Sequence, residues 1–293
     1  MTTDLVCNRC KFDIPLDRTH CPHCGDGRLC PNVRLADAIE EKTALENRYR
    51  VALHLTSNRA SVVQQFEAAV ATSRAVMGAS LNKLIPLATG FYEVYATYYD
   101  LVDLRFLRPP TAGEPDWAKR RPQAEIELLG SAKHIDKLHY AALSLNGKSL
   151  PSYGECTVLL KDHMIAHRAS AFEGNSALFI DRKFLDFPLG WRATWTERAK
   201  LCVAKLASRL TVSTQSHDFP EILLKPGANG LDDDFIEVHV FGEMTIRTFE
   251  KVIVPKSGNK AGPGKRGRTK RGGTNPKVIR DYCQQHNVAC EIL

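Results

Sequence analysis

The sequence predicts an α+β fold laid out in consecutive blocks, and three observations carry that expectation. Five of the nine cysteines fall within the first 30 residues. From Leu35 to about Leu84, apolar residues recur at helical spacing with no proline among them. Beyond Pro109-Pro110-Thr-Ala-Gly-Glu-Pro115, a turn or linker signal, short β-like runs take over. With 293 residues, 43% of them hydrophobic, the chain can bury a sizeable core. Charged residues at 25% and aromatics at 8% argue against a disordered composition. No apolar run reaches the ~18 to 20 residues of a membrane-spanning helix. The N-terminus, MTTDLVCNRC, has neither a basic n-region nor an apolar h-region, so the expected location is cytoplasmic, with no membrane contact.

The first block, residues 1–33, carries Cys7-Asn-Arg-Cys10 and, ten residues on, Cys21-Pro-His-Cys24. Each CxxC pair bends sharply and points two thiolates at one ion. Two such pairs close a tetrahedral four-sulfur cage of the kind structural zinc prefers. The segment resembles a small zinc ribbon, with Cys7, Cys10, Cys21 and Cys24 as the ligands of a structural Zn²⁺. A closed four-thiolate site has no open position for substrate, and metal binding would supply most of the folding energy of so short a segment. His20, His23 and Cys30 are alternative ligands, and a redox dithiol pair is the alternative chemistry.

The second block, 34–108, is helical in character. Leu35, Ile39, Leu45, Tyr49, Ala52, Val63, Phe66, Val70 and Met77 form an apolar stripe on one long helix, or on two joined near Ser57-Asn58. Such a stripe is core or the seam of a homo-oligomer. A further apolar stretch, Phe91 to Tyr99, brings tyrosines suited to packing or to recognition. The third block, 109–255, reads as α+β. Its β-like runs are Ala124–Leu129, Cys156–Leu160, Ala177–Ile180, Ile236–Phe241 and Val252–Val254, with a helix from Thr196 to Leu210 among them.

Residues 256–275 form a basic, glycine-rich linker expected to be disordered. Between Lys256 and Lys277 stand eight Lys or Arg and no acid, so removing them from the net charge of +7 leaves about −1 for the rest. The basicity therefore belongs to this arm. Lys265, Arg266, Arg268, Lys270 and Arg271 are the expected contacts to nucleic-acid phosphates, a salt-sensitive interaction that reads no bases. The competing reading is a soluble flexible linker. The last block, 276–293, is expected to hold a short helix, with Val278, Ile279 and Tyr282 on one face, and a strand over Val288–Leu293. It resembles the small DNA-contacting ends of some bacterial nucleoid proteins.

No Walker A loop, GxGxxG, GxSxG, HExxH or kinase-type set is present. What stands out is Tyr153-Gly-Glu-Cys-Thr-Val-Leu-Leu-Lys161, then Arg168-Ala-Ser170 with Gly174-Asn-Ser176, then Glu237-Val-His239-Val-Phe-Gly242 leading to Val252-Ile-Val-Pro255. In these pieces the chain resembles toxin- and phage-type ADP-ribosyltransferase domains, over about half its length. The resemblance implies a catalytic-type domain that transfers ADP-ribose from NAD⁺ to a macromolecule, either nucleic acid or a protein associated with it. It casts Glu237 as the catalytic carboxylate and Ser176 or Ser170 as positioning hydroxyls. Arg168 would hold NAD⁺ phosphate or ribose, with Arg192 in reserve, and Tyr153 would lie in the cofactor site. Many of these enzymes carry Glu-x-Glu or Gln-x-Glu in the last strand; here His239 takes the second position, where it could select the acceptor or assist proton transfer.

The chemistry is sound without the name. Breaking the nicotinamide glycosidic bond develops an oxocarbenium-like centre that a carboxylate stabilises, and an arginine fork suits phosphate oxygens. The same residues admit plainer readings: Arg168 in a surface ion pair, and Glu237 and His239 on the wet face of a strand. The rival functions are a non-enzymatic nucleic-acid-binding protein and a nuclease-type hydrolase.

Overall fold

The computed structural model describes residues 5–7, 10–14, 18, 20–24, 30–103, 116–181, 187–228, 230–256 and 276–293. The five arm residues named above and most of the basic linker lie outside these. At the N-terminus β1 (Leu5–Val6) and β2 (Asp13–Ile14) pair antiparallel around the first two cysteines. Lys11 adopts a left-handed conformation, φ 60°, in the turn between them.

α1 (Pro31–Ala36) opens on proline, whose missing N–H has no partner to lose in a first helical turn. α2 (Ile39–Leu55) and α3 (Ala60–Ala71) follow, separated by a short 3-10 turn at Ser57–Arg59, so the helical stretch breaks next to Ser57-Asn58. Leu45, Val63, Phe66 and Val70 of the apolar stripe are buried in the main core of this chain.

The helical reading of 35–84 fails after Ala71. Arg74–Ala79 is a strand, β3, in the middle of the sheet, and only then does α4 (Leu81–Ala88) resume helix. The turn is fixed by Arg198, buried, whose guanidinium donates to the carbonyls of Ala71 and Ser73. An arginine on the last carbonyls of α3 ends that helix and aims β3 into the sheet. Val76 and Met77 are both buried on opposite faces, an arrangement that a central strand tolerates and a sequence period does not reveal.

The remaining elements are α5 (Tyr98–Asp103), α6 (Asp116–Leu129), β4 (Leu138–Ser144), β5 (Cys156–Leu160), α7 (Asp162–Ile165), β6 (Ala169–Phe172), α8 (Ser176–Asp181), β7 (Arg192–Thr194), α9 (Arg198–Leu206), α10 (Phe219–Leu223), β8 (Glu237–Phe241), β9 (Phe249–Val254), α11 (Pro276–Gln285) and β10 (Ala289–Ile292). Two expected strands are helices. Ala124–Leu129 is the end of α6, where Ala124 and Leu128 turn inward four residues apart. Ala177–Ile180 lies in α8, capped by Asn175, whose Oδ1 accepts the Leu178 N–H at 3.1 Å. Short apolar-rich runs fit either period; the cap and the upstream helical turns decide.

One mixed sheet takes its strands from both sides of residue 108, in the order β10-β9-β5-β3-β4-β8-β6-β7. The C-terminal element joins it, with β10 parallel to β9. One face, including Ala75, Met77, Leu143, Val158, Ala171, Val238 and Val240, packs into the main core with α3 and α9. On the opposite face Leu138, Phe172 and Phe241 meet α6 and α8, and Val76 and Ala142 meet Leu150, Leu224 and Phe235.

The sheet is split at its centre. β3 and β4 pair only at Arg74↔Ser144, Ala75↔Leu143 and Val76↔Ala142. Past that point Met77, Gly78 and Ala79 pair with β5, while Leu138 to Ala141 pair with β8. The strands diverge, and the cleft between the two half-sheets holds the candidate site.

Candidate functional site

A cavity of about 330 Å³ fills the split. Val76 and Gly78 line it from β3, and His139 to Ala142 from β4; Glu237, Tyr153 and Asn175 close it on one side, and Lys83, Arg121, Tyr95 and Tyr98 also border it. Glycine is required at two places in its wall. A Cβ on Gly78 would sit 2.8 Å from Tyr153 Cβ, and Gly154, at φ 144°, has no room beside the Ala79 carbonyl, 2.3 Å away. These glycines let the Pro151–Tyr153 turn lie directly on the end of β3, which carries Tyr153 to the cavity.

Glu237 is 5% exposed and lines the cavity. Its Oε2 accepts the Ser176 backbone N–H at 3.0 Å and lies 2.8 Å from His239 Nε2. Both hydrogen bonds to this carboxylate among the described residues fall on Oε2, leaving Oε1 for the cavity side. His239 shares the strand face with Glu237, as alternation requires, but stands behind it and does not line the cavity. Its ring is 1% exposed and packs edge-on to Tyr140, with Phe172 close by. Ser176 therefore positions the carboxylate through its backbone; its hydroxyl is buried with no partner among the described residues.

The other expected residues divide. Tyr153 borders the cavity, and its hydroxyl accepts the Asn175 amide N–H at 2.7 Å. Asn175 thus caps α8 with one end of its side chain and holds Tyr153 with the other. Ser170 is tied elsewhere: its hydroxyl accepts from Asn32 Nδ2 at 3.0 Å, and the same amide reaches the His239 carbonyl at 3.0 Å and the Arg168 carbonyl at 3.2 Å. Asn32 of α1 thereby clamps β6 to β8.

Arg168 spends its guanidinium on three main-chain carbonyls, Met164 at 3.0 Å, Phe241 at 3.0 Å and Glu243 at 2.7 Å. It staples the ends of α7 and β8 and contributes no fork to the cavity. Arg192, the reserve, donates to the Glu127 carbonyl at 3.2 Å and lies over Phe187.

The cations that do border the cavity are Lys83 and Arg121, which no motif marked. Burial, reinforced by the Arg121 charge, pushes the Lys83 ammonium down to about 8. Burial keeps His139 neutral, with its pKa lowered to about 3, and raises the Tyr95 and Tyr153 hydroxyls. One sequence signal pointed here: Gly78 is the only glycine in a 50-residue helical-looking stretch, and an isolated glycine in a strand marks close approach.

The sulfurs of Cys7, Cys10, Cys21 and Cys24 all lie within 4.8 Å of one another, with Cys7–Cys24 at 3.6 Å and Cys10–Cys21 at 3.5 Å. A tetrahedral ion with sulfurs at about 2.3 Å would set them roughly 3.8 Å apart, so the donor set fits a metal ion of that kind. Cys30 packs instead with the α6–α8 cluster. No other such group of His, Cys, Asp or Glu occurs among the described residues. Nor, among them, is any helix long and apolar enough to cross a membrane. No known family and no curated protein matches the chain.

Proposed function

We propose that the protein is an ADP-ribosyltransferase that uses NAD⁺ as its donor substrate, and that Glu237 is its catalytic carboxylate. The observation that carries this reading is the Glu237 carboxylate at the wall of the cavity in the split sheet, with Oε2 fixed by Ser176 N and His239. A preoriented carboxylate costs no reorganisation as positive charge develops on the ribose. The C–N glycosidic bond breaks and nicotinamide leaves with the bonding pair. An oxygen or nitrogen of the acceptor bonds to the ribose carbon, and the acceptor's proton passes to Glu237 or to water. The cavity rings offer stacking surfaces for nicotinamide or adenine.

On this reading His239 is a positioning residue: it sets the rotamer of Glu237 from behind and does not touch substrate. The four cysteines hold a structural Zn²⁺, and the acceptor is nucleic acid or a protein associated with it, brought in by the basic arm. The excess of eight unopposed cations in that arm favours one second reading, a nucleic-acid-binding protein without chemistry.

The test is incubation with labelled NAD⁺, with and without nucleic acid, cell lysate and EDTA. The transferase reading expects macromolecule-bound label that survives EDTA and is lost in Glu237→Gln. Absence of label and of free nicotinamide under every condition moves the assignment to the second reading.

A further inference from the structure

Lys83 borders the cavity from α4, and its ammonium makes no hydrogen bond or ion pair among the described residues. A half-buried ammonium without a counter-ion among the described residues is costly to keep. Arg121 borders the same cavity from α6. Its Nε donates to Glu125 Oε1 at 2.9 Å, and its guanidinium lies 4.6 Å from the Tyr98 ring centre and 4.7 Å from that of Tyr140. Two rings and one hydrogen bond therefore fix the plane of the fork.

Glu125, 1% exposed, is the anchor of this arrangement. It also accepts the hydroxyls of Tyr140, at 2.9 Å, and Tyr99. It does not line the cavity, so its charge is spent on three donors behind the wall and is not presented to a ligand. Tyr140, on which Arg121 stacks, stands opposite His239 in the register of β4 and β8, two residues from the Ala142↔Glu237 pair. The two cations and the carboxylate thus line one cavity.

We infer that Lys83 and Arg121 form an anion subsite for the phosphates of a nucleotide ligand, with Glu125 as the residue that positions Arg121. The subsite rests on the reading of the cavity as the substrate site and names what holds the diphosphate there, a task the sequence had assigned to Arg168. The polarity is apt. Anionic phosphates meet two cations, while the end of the ligand that becomes positive faces Glu237. The lowered pKa of Lys83, set first by burial and then by the Arg121 charge, agrees with two like charges bordering one cavity.

Calorimetry on the metal-loaded 293-residue chain tests this with three probes: ADP, inorganic pyrophosphate and uncharged adenosine. Glu237→Gln, which removes a negative charge from the same cavity, is expected to bind ADP at least as tightly as wild type. Lys83→Met and Arg121→Met should each weaken ADP about 10- to 100-fold, the range for a lost charged hydrogen bond, and leave adenosine unchanged. Lys83→Arg should bind ADP close to wild type, which separates lost charge from lost folding. Glu125→Gln should weaken ADP less than Arg121→Met. Pyrophosphate binding that follows the same order places the recognition in the phosphates alone; binding of ADP without pyrophosphate would overturn that. ADP affinity equal in wild type, Lys83→Met and Arg121→Met, or absent from all, overturns the subsite. Charge-dependent ADP binding without nicotinamide release from NAD⁺ keeps the subsite and removes the transferase reading. Nicotinamide release with charge-independent ADP binding does the reverse.

Discussion

The four-cysteine module and the cavity in the split sheet are both built to hold something, yet they are assembled in opposite ways. All four sulfurs come from Cys7 to Cys24, a stretch of local sequence in which a hairpin carries the first two. The cavity draws on Val76, Lys83, Arg121, Tyr140, Tyr153 and Glu237, which meet only once the whole sheet has formed. The first is closed by thiolates on every side. The second stays open because two neighbouring strands stop pairing after three residues. A ligand set with local spacing is readable from sequence; a site made by a failure of strand pairing is not.

That contrast can be broken by changing either partner. The largest effect is expected at the cysteines. Cys21→Ser should take the bound metal from one ion per chain to none, measured by metal analysis of the purified protein, since three thiolates leave the tetrahedral cage incomplete. Retained stoichiometric metal would show that the ion is held elsewhere.

Gly154→Ala strikes the cavity wall. A side chain at φ 144°, with the Ala79 carbonyl carbon 2.3 Å from the new Cβ, should cost at least about 3 kcal/mol of unfolding free energy in denaturant titration, or lift the Pro151–Tyr153 turn from β3. The substitution should leave metal content unchanged, which would separate the two regions directly.

A smaller effect concerns pH. A lysine depressed to about 8 is charged below that value and neutral above it. ADP affinity should therefore be full below pH 8 and fall as pH rises through it, and Lys83→Arg should flatten the profile. For the free protein the sign is opposite: the unfolded chain holds the Lys83 proton up to its ordinary value, so this group adds to stability as pH rises from about 8 towards 10.5. Calorimetry at pH 7 and 9 would check the first, and paired denaturation of wild type and Lys83→Arg the second.

The same contrast explains what could be read in advance. β5, β8, β9 and α9 showed themselves through their own periods, and the last strand pair carried Glu237 and His239 on one face, as alternation dictates. β3 was hidden because Arg-Ala-Val-Met-Gly-Ala is buried on both faces and follows a true helix without a proline. Arg168 was misplaced for a different reason. A half-buried arginine next to a small-residue strand suits a phosphate or three carbonyls equally well, and only the positions of Met164, Phe241 and Glu243 decide between them. Arg121 and Lys83 sat in segments read as a short strand's approach and a helical stripe, where a cation is ordinarily solvated. Asn175 is a helix cap that also orients Tyr153, a double role that its place between Gly174 and Ser176 does not reveal.

The Glu237 carboxylate in the split is the group on which the proposed chemistry depends most directly. Nicotinamide release from NAD⁺ should be measured for wild type and Glu237→Gln under identical metal loading. The account predicts a fall of roughly 10²- to 10⁴-fold in the variant with ADP binding intact, the range associated with losing a positioned acid–base group. A Glu237→Gln rate within twofold of wild type would contradict it.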